Sequence, residues 1–470
     1  MPDKVAAPRS CDLMIQNARV ISMNANREIF TRGAIAISGN RIVAVGPERA
    51  VLPLWRGRRL LDAGGGIVHP GYIDTHVHTT LVNSRGAFPD SLGWKEGMEF
   101  YDRWWNATED EDEYASALHA FIEMLGNGTT CVMETGTAIE PDVVATAMQD
   151  ASIRGLVADS WMSDVGEEGH GFLRRPPNTK RCLAALGGQL KRNKDPEALV
   201  RGHVSVYGMG ASSDELMLAA KAAADAGGVT FSQHQSFARR DTAADDKRFG
   251  KHPLVHYAEI GVLGPNCLFT HMNIIRDDEA EAVIASGMGI TWCLTSSMIW
   301  GAGGTAHGRH DELYRRGCKV ALGSDSGNSA LRFDLNQQAV LTVLTARDKR
   351  RERTALGPED ALAMLTISGA KAIGLHDQIG SLEVGKRADI VLRSPDTAEA
   401  QPALDEVQSL VLSQGPKSVD TVLVDGRIVL RNGRHTLLDE MQVHARLRES
   451  ARRMLGRINM NAPAAWPRVE

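Results

Sequence analysis

The segment HPGYIDTHVH, residues His69–His78, runs from Pro-Gly through an apolar step into two histidines one residue apart. In an extended strand alternate side chains share a face. His76 and His78 therefore project together at the strand's end. Two neutral imidazoles converging there suit Zn²⁺, Co²⁺, Fe²⁺ or Mn²⁺. A His-x-His pair alone is a weak signal, but the preceding Pro-Gly-Tyr-Ile-Asp in a strand context strengthens it.

Working outward, short apolar runs alternate with helix-like stretches. The candidate strands are Ile67–Asp74, Thr129–Met133, Gly155–Ser160, Val204–Gly208, Val229–His234, Leu268–His271, Gly289–Cys293 and Val320–Asp325. Most are followed by helical patterns such as Asp214–Ala226 or Asp277–Ser286. This alternation predicts an α/β protein with a parallel (β/α)8 TIM-like barrel over residues 67–384. In such barrels chemistry sits at the C-terminal ends of the strands. His234 ends the fifth run, His271 the sixth and Asp325 the eighth. Taken singly, the histidines could be core residues and Asp325 a helix N-cap. Together with His76 and His78 around one barrel mouth, they read as a metal centre.

The flanks have a different character. Residues 1–66 hold β-type runs at Asp12–Met23, Gly33–Ile37, Arg41–Val45 and Leu60–Leu61. Residues 385–436 hold Ala388–Leu392, Val407–Leu412, Thr421–Val424 and Arg427–Leu430, with Asp425-Gly426 as a hairpin turn. Neither set has enough strands to bury an apolar face alone. The expectation is one small β-sandwich built from both chain ends. Residues 437–470 begin with Leu437, Leu438, Met441, Ala445, Ala451, Met454, Leu455 and Ile458 at helical spacing, which predicts an amphipathic C-terminal helix.

Composition narrows the function. The chain has 470 residues, 43% hydrophobic and 24% charged, and its net charge of -5 disfavours a nucleic-acid partner. No apolar run reaches the ~18 residues needed to span a membrane. Cys11, Cys131, Cys182, Cys267, Cys293 and Cys318 form no C-x-x-C pair, and the first residues carry no apolar secretory stretch. A cytoplasmic protein with a small-molecule substrate is expected, and the C-terminal helix and apolar mouth loops predict a homo-oligomer.

The pattern PG-x-x-D-x-H-x-H at Pro70–His78, the later His234 and His271, and Gly323-Ser324-Asp325 resemble the amidohydrolase superfamily. Ile379–Leu392 (IGSLEVGKRADIVL) resembles its flanking domain. Within the superfamily the chain looks most like the mononuclear branch of cytosine deaminases and triazine hydrolases. The resemblance implies that His76, His78, His234 and Asp325 ligate one divalent ion, with zinc favoured, and that His271 meets the water or substrate. Binuclear branches bridge two metals with a carboxylated lysine on the fourth strand, and His203–Gly210 (HVSVYGMG) has none. A bound divalent ion lowers the pKa of water toward ~7. Asp325 could then pass the water's proton to a leaving nitrogen, while His271 donates to the developing oxyanion.

One departure bears on the reaction. The deaminase-like branch carries a proton-shuttling glutamate three residues after the fifth-strand histidine, where this chain has Phe237. A phenyl ring transfers no proton. Hydrolysis of an amide, urea or carbamate C–N bond by metal-bound hydroxide is therefore expected ahead of deamination or dechlorination of an N-heterocycle. A non-catalytic scaffold is the remote alternative. Trp94, Trp104, Trp105, Trp161, Phe237, Trp292 and Met298 fall near the predicted mouth and are the expected pocket lining for an apolar or aromatic substrate. The resemblance extends to xenobiotic-degrading phenylurea, thiocarbamate and triazine hydrolases. Gly301–His310 reads as a mobile loop, with His307 and His310 as loop histidines.

Overall fold

The computed structural model describes residues 7–87, 92–166, 172–328, 330, 332–461, 466, 467 and 469. The terminal sheet begins with β1 (Arg9–Ile21), β2 (Ile29–Ser38), β3 (Arg41–Pro47), β4 (Trp55–Asp62) and β5 (Ile67–Pro70). It is completed by β16 (Ile390–Arg393), β17 (Val419–Val424), β18 (Arg427–Arg431) and β19 (Arg434–His435). These pair as one nine-stranded sheet in the order β19-β18-β17-β16-β5-β1-β2-β3, with β4 alongside β1. Leu13, Ile15 and Ile35 share an apolar cluster with Ile390, Leu392 and Leu423, so each chain end buries the other's face. The expected union of the two ends is present.

Two details differ from the sequence expectation. Ile67–Asp74 is not one strand: β5 pairs with β1 and β16 in the terminal sheet, and the barrel begins after Gly71. Val407–Leu412 is helical within Glu406–Leu412. Asp405 caps that helix, accepting from the Gln408 amide at 2.7 Å. A short apolar run reads equally as strand or helix, and the cap decides it here.

The barrel strands are β6 (Tyr72–His78), β7 (Thr129–Glu134), β8 (Arg154–Val157), β9 (Val200–Gly202), β10 (Val204–Gly208), β11 (Phe231–Gln235), β12 (Cys267–His271), β13 (Gly289–Trp292), β14 (Lys319–Leu322) and β15 (Asp325–Ser326). They form two five-stranded parallel arcs, β15-β6-β7-β8-β9 and β10-β11-β12-β13-β14. β9 continues into β10 across His203, and β14 into β15 across Gly323-Ser324. The arcs thus supply the eight positions of a (β/α)8 barrel. Closure comes from Asp325 opposite Val77 and Ser326 opposite His78.

Burial is complete along β6, β7, β11 and β12, as expected for parallel strands covered on both faces. A buried ion network ties barrel to terminal sheet. Arg154 on β8 meets Asp389 in a two-pronged pair (2.7 and 3.0 Å) and Asp425 at 2.9 Å. The C-terminal helix Glu440–Arg457 packs on helix Asp110–Gly126 of its own barrel, where Asp112 accepts from Ser450, Arg453 and Arg457.

Candidate metal centre and substrate cleft

His76 and His78 sit at the end of β6, His234 on β11, His271 at the end of β12 and Asp325 at the start of β15. All five converge at one end of the barrel. Potential ligand atoms of His76, His78 and His234 lie within 4.8 Å of one another, as do those of His76, His271 and Asp325. His78 Nε2 is 3.3 Å from His234 Nε2 and 3.3 Å from Asp325 Oδ1, and His76 Nε2 is 4.0 Å from the same Oδ1.

Outer hydrogen bonds fix how two of these rings are protonated. His234 Nδ1 lies 2.7 Å from the Tyr207 carbonyl, which can only accept, so Nδ1 carries the hydrogen. His78 Nδ1 lies 2.5 Å from Thr137 Oγ1, whose own hydrogen goes to Glu134 Oε1 at 3.3 Å. Thr137 therefore accepts from His78. Both Nε2 atoms are left as bare lone pairs facing each other, an arrangement that repels unless a cation lies between them. The fully buried His76 Nε2 likewise makes no hydrogen bond. These residues fit a divalent cation.

Electrostatics agree. Burial depresses the pKa of His78 and His234 to about 4 and holds His76 and His271 well below the usual histidine value, so all four imidazoles are neutral near pH 7. Burial raises Asp325, opposed by a Ser296 hydrogen bond and the neighbouring His234. Asp74 of the Pro70–His78 segment is not at the centre. It accepts from the Ser324 amide (3.0 Å), the Ser324 hydroxyl and the His76 amide (3.3 Å), tying the eighth barrel position to the first. Glu134 on β7 similarly accepts from the Gly136, Thr137 and Ala138 amides at 2.8–3.0 Å, which fixes the turn presenting Thr137.

Backbone strain gathers here. Asp325 (φ 65°), His271 (φ 74°) and Met272 (φ 49°) all occupy the left-handed region without being glycine. Such conformations persist where surrounding structure over-determines them, and they concentrate at functional sites.

Above the centre opens a cleft. Its floor carries His78, His234, His271 and Asp325, and Trp94, Met98, Tyr101, Trp105, Phe237 and Trp300 wall it. Phe237 stands edge-on to His271 (centroids 4.7 Å) and beside Trp94 (5.4 Å), and the Arg240 guanidinium lies 3.3 Å over the Trp94 ring.

Of the expected lining residues, Trp94, Trp105 and Phe237 are in the cleft, whereas Trp104, Trp161, Trp292 and Met298 are not among the residues lining it. The segment after β6 contains helix Trp94–Ala107. Trp94, Met98, Tyr101 and Trp105 fall on one helical face toward the cleft. Trp104 points away, fully buried, and donates from Nε1 to Asn83 Oδ1 at 3.0 Å. Trp161 stacks behind Tyr207, Trp292 stacks on His310, and Met298 is 42% exposed. Phe88 of that segment lies outside the described residues. Leu81, Thr137, Tyr207, Met209, Ser296 and Ser326 line the cleft without having been singled out. Thr137 follows the strand-end Glu134 and Ser296 follows β13, so position after a barrel strand was the available signal.

Residues 67–429 match the Amidohydrolase family. The chain belongs to that family. It is similar to a 5-methylthioadenosine/S-adenosylhomocysteine deaminase of Symbiobacterium thermophilum, 28% identical over 452 residues, covering 94% of this chain and 99% of the relative. A 5'-deoxyadenosine deaminase of Methanosarcina mazei is 28% identical over 462 residues, covering 95% and 99%. Two solved structures share the fold: a zinc-bound adenosine deaminase from Xanthomonas campestris (TM-score 0.87, 23% identity, 96% of this chain and 100% of that one) and a zinc complex of atrazine chlorohydrolase from Arthrobacter aurescens (TM-score 0.83, 22% identity, 93% and 100%). As a family member the chain is an enzyme, a metal-dependent hydrolase acting on carbon–nitrogen bonds. Among the described residues no helix is long and apolar enough to cross a membrane.

Proposed function

We propose that His76, His78, His234 and Asp325 hold one divalent ion, zinc by the precedent of the zinc-bound structural neighbours, and that the cleft hydrolyses an amide, urea or carbamate C–N bond of a small apolar or aromatic molecule. The observation that carries the substrate class is the Phe237 ring packed between His271 and Trp94. Among the described residues lining the cleft it leaves Asp325 as the only carboxylate. Protonation of a ring nitrogen, as heterocycle deamination requires, has no second acid there. An acyclic carbonyl needs none.

When bound, the ion would supply an acidified water and would polarise the carbonyl. The Asp325 carboxylate is placed in the cleft to take a proton from the attacking water as its oxygen bonds the carbonyl carbon. It returns this proton to the nitrogen as the C–N bond breaks, so one carboxylate serves as base and then acid. The neutral His271 imidazole donates an N–H to the carbonyl oxygen as negative charge gathers on it. Ser296, bonded to Asp325, holds the carboxylate in place. The aromatic walls exclude bulk water and accept an aryl or alkyl group. A xenobiotic-type substrate, a cytoplasmic location and a homo-oligomer belong to the same reading. Leu437 and Met441, 59% and 65% exposed near the C-terminal helix, offer apolar surface to a second copy.

The deaminase relatives favour a second reading, loss of ammonia from an aminoheterocycle. A panel of anilides, phenylureas, carbamates and thiocarbamates, run beside 5'-deoxyadenosine and aminotriazines with products identified by mass spectrometry, separates the two. Release of an amine from a carbonyl compound supports the proposal. Ammonia from the rings with every carbonyl compound untouched would overturn it.

A further inference from the structure

His310 looked from the sequence like a loop histidine, but it is buried at the start of helix His310–Arg315. Its Nε2 lies 2.6 Å from the main-chain carbonyl of His271. A carbonyl only accepts, so His310 Nε2 carries the hydrogen and donates. The imidazole is clamped flat against Trp292, with centroids 4.6 Å apart and planes 3° from parallel. Gly308 leaves room on another side: a Cβ there would lie 2.8 Å from both Cε1 and Nδ1 of the ring. The Gly308 carbonyl is in turn held by Lys349 Nζ.

What this clamp holds is strained. His271 and Met272 are consecutive left-handed residues that tip the His271 ring off the end of β12 toward the cleft. From one side the turn is pinned by main-chain bonds to the β11 end: the Met272 amide to the Gln235 carbonyl (2.8 Å) and the Asn273 amide to the Ser236 carbonyl (3.0 Å). Asn273 Nδ2 adds a bond to the Phe237 carbonyl at 3.0 Å. From the other side, His310 reaches the His271 carbonyl. Strained backbone of this kind persists where the surrounding structure over-determines it.

We propose that His310 is a positioning residue: by donating to the His271 carbonyl it sets the angle at which the His271 imidazole meets the substrate carbonyl oxygen. This rests on the reading of His271 as the oxyanion donor. Partners that orient a catalytic group typically matter by about 10–100-fold. Loss of this one acts on kcat, because His271 contributes mainly as charge develops on the oxygen.

The test compares His310→Phe, which keeps a flat ring without the donor, with His310→Gln, whose side-chain amide can donate again. Gly308→Ala, whose Cβ would press on the Gly304 carbonyl as well as on the ring, is the third variant, and His310→Leu stands in should His310→Phe not fold. All are assayed as zinc-loaded protein on the substrate that the wild type turns over fastest, with metal content and a crystal structure of each. The expected result for His310→Phe is unchanged metal content, KM within about twofold and kcat lowered about tenfold or more. Its His271 ring should move from its seat 4.7 Å from Phe237. His310→Gln should recover most of kcat, and Gly308→Ala should fall between. Wild-type kcat in His310→Phe, or equal losses in His310→Phe and His310→Gln, would overturn the proposal. His271→Asn in the same series separates the two layers. If it leaves kcat intact, the role of His271 fails and the inference with it. If it abolishes turnover while His310→Phe does not, only the inference falls.

Discussion

Replacing Thr137 by valine removes one hydroxyl and nothing else of size, yet the geometry predicts a measurable loss of metal affinity. The His78 Nδ1–H donates to Thr137 Oγ1 at 2.5 Å, and Thr137 donates onward to Glu134, so the carboxylate makes the His78 ring more basic. Valine leaves that N–H buried without this acceptor, at a cost of about 1–3 kcal/mol. Outer-partner loss at metal-ligating histidines runs at about 10–100-fold in affinity, equivalent to about 1.4–2.7 kcal/mol. Thr135 Oγ1 lies 3.4 Å from the same Nδ1 and can take over part of the bond. The single variant is therefore expected near tenfold, and Thr135→Val/Thr137→Val near a hundredfold. The assay is competition for zinc against a chromophoric chelator, with circular dichroism to confirm the fold. Affinity within twofold of wild type in both variants would refute the argument that His78 is a ligand oriented through Thr137.

His78→Ala should lose metal and turnover together, whereas His271→Asn should keep the metal and lose about 10²–10³ in kcat; metal analysis beside kinetics checks both. Arg154→Met strands the buried Asp389 carboxylate in the interface between barrel and terminal sheet, while Asp425 keeps Arg387 at 3.0 Å; the expected cost is about 3–5 kcal/mol, read as a lowered Tm. Burial pushes the Asp112 carboxyl up, but hydrogen bonds from Arg457, Ser450 and Arg453 outweigh it and hold its pKa below the usual value. A folded pKa below the unfolded one gives stabilisation that is complete above about pH 4 and lost as pH falls through the folded value. Hydrogen-exchange protection factors over residues 440–457, taken relative to the intrinsic rate at each pH, should accordingly fall below pH 4 in the wild type and already be reduced at pH 7 in Asp112→Asn.

How much of this was legible in the sequence follows from the period of each signal. The barrel strands are uninterrupted apolar runs spaced by helices, and His76, His78, His234, His271 and Asp325 terminate such runs or stand just beyond them, so fold and candidate ligands could be read together. The strand breaks were not readable. Nothing in Ile67–Asp74 announces that Gly71 hands the chain from the terminal sheet to the barrel, because that division depends on pairing with β16, over 300 residues away in sequence. The cleft walls were half legible. Trp94, Met98, Tyr101 and Trp105 carry a helical period, but Trp104 stands in the same aromatic stretch and points away from the cleft. The contact of Trp292 with His310 was not readable from sequence, since their stack joins a strand end to a separate helix. Outer-layer partners such as Thr137 and Ser296 are small polar residues whose one sequence signal is their position after a barrel strand, and geometry assigns what they bond.

The central claim is that a single divalent ion at this centre drives the hydrolysis. The most direct test strips the protein with chelator and restores zinc stepwise while turnover and bound metal are recorded together. The account predicts no turnover in the stripped protein, recovery in proportion to zinc, and a break at one equivalent per chain. A break at two equivalents, or full turnover without metal, would contradict it.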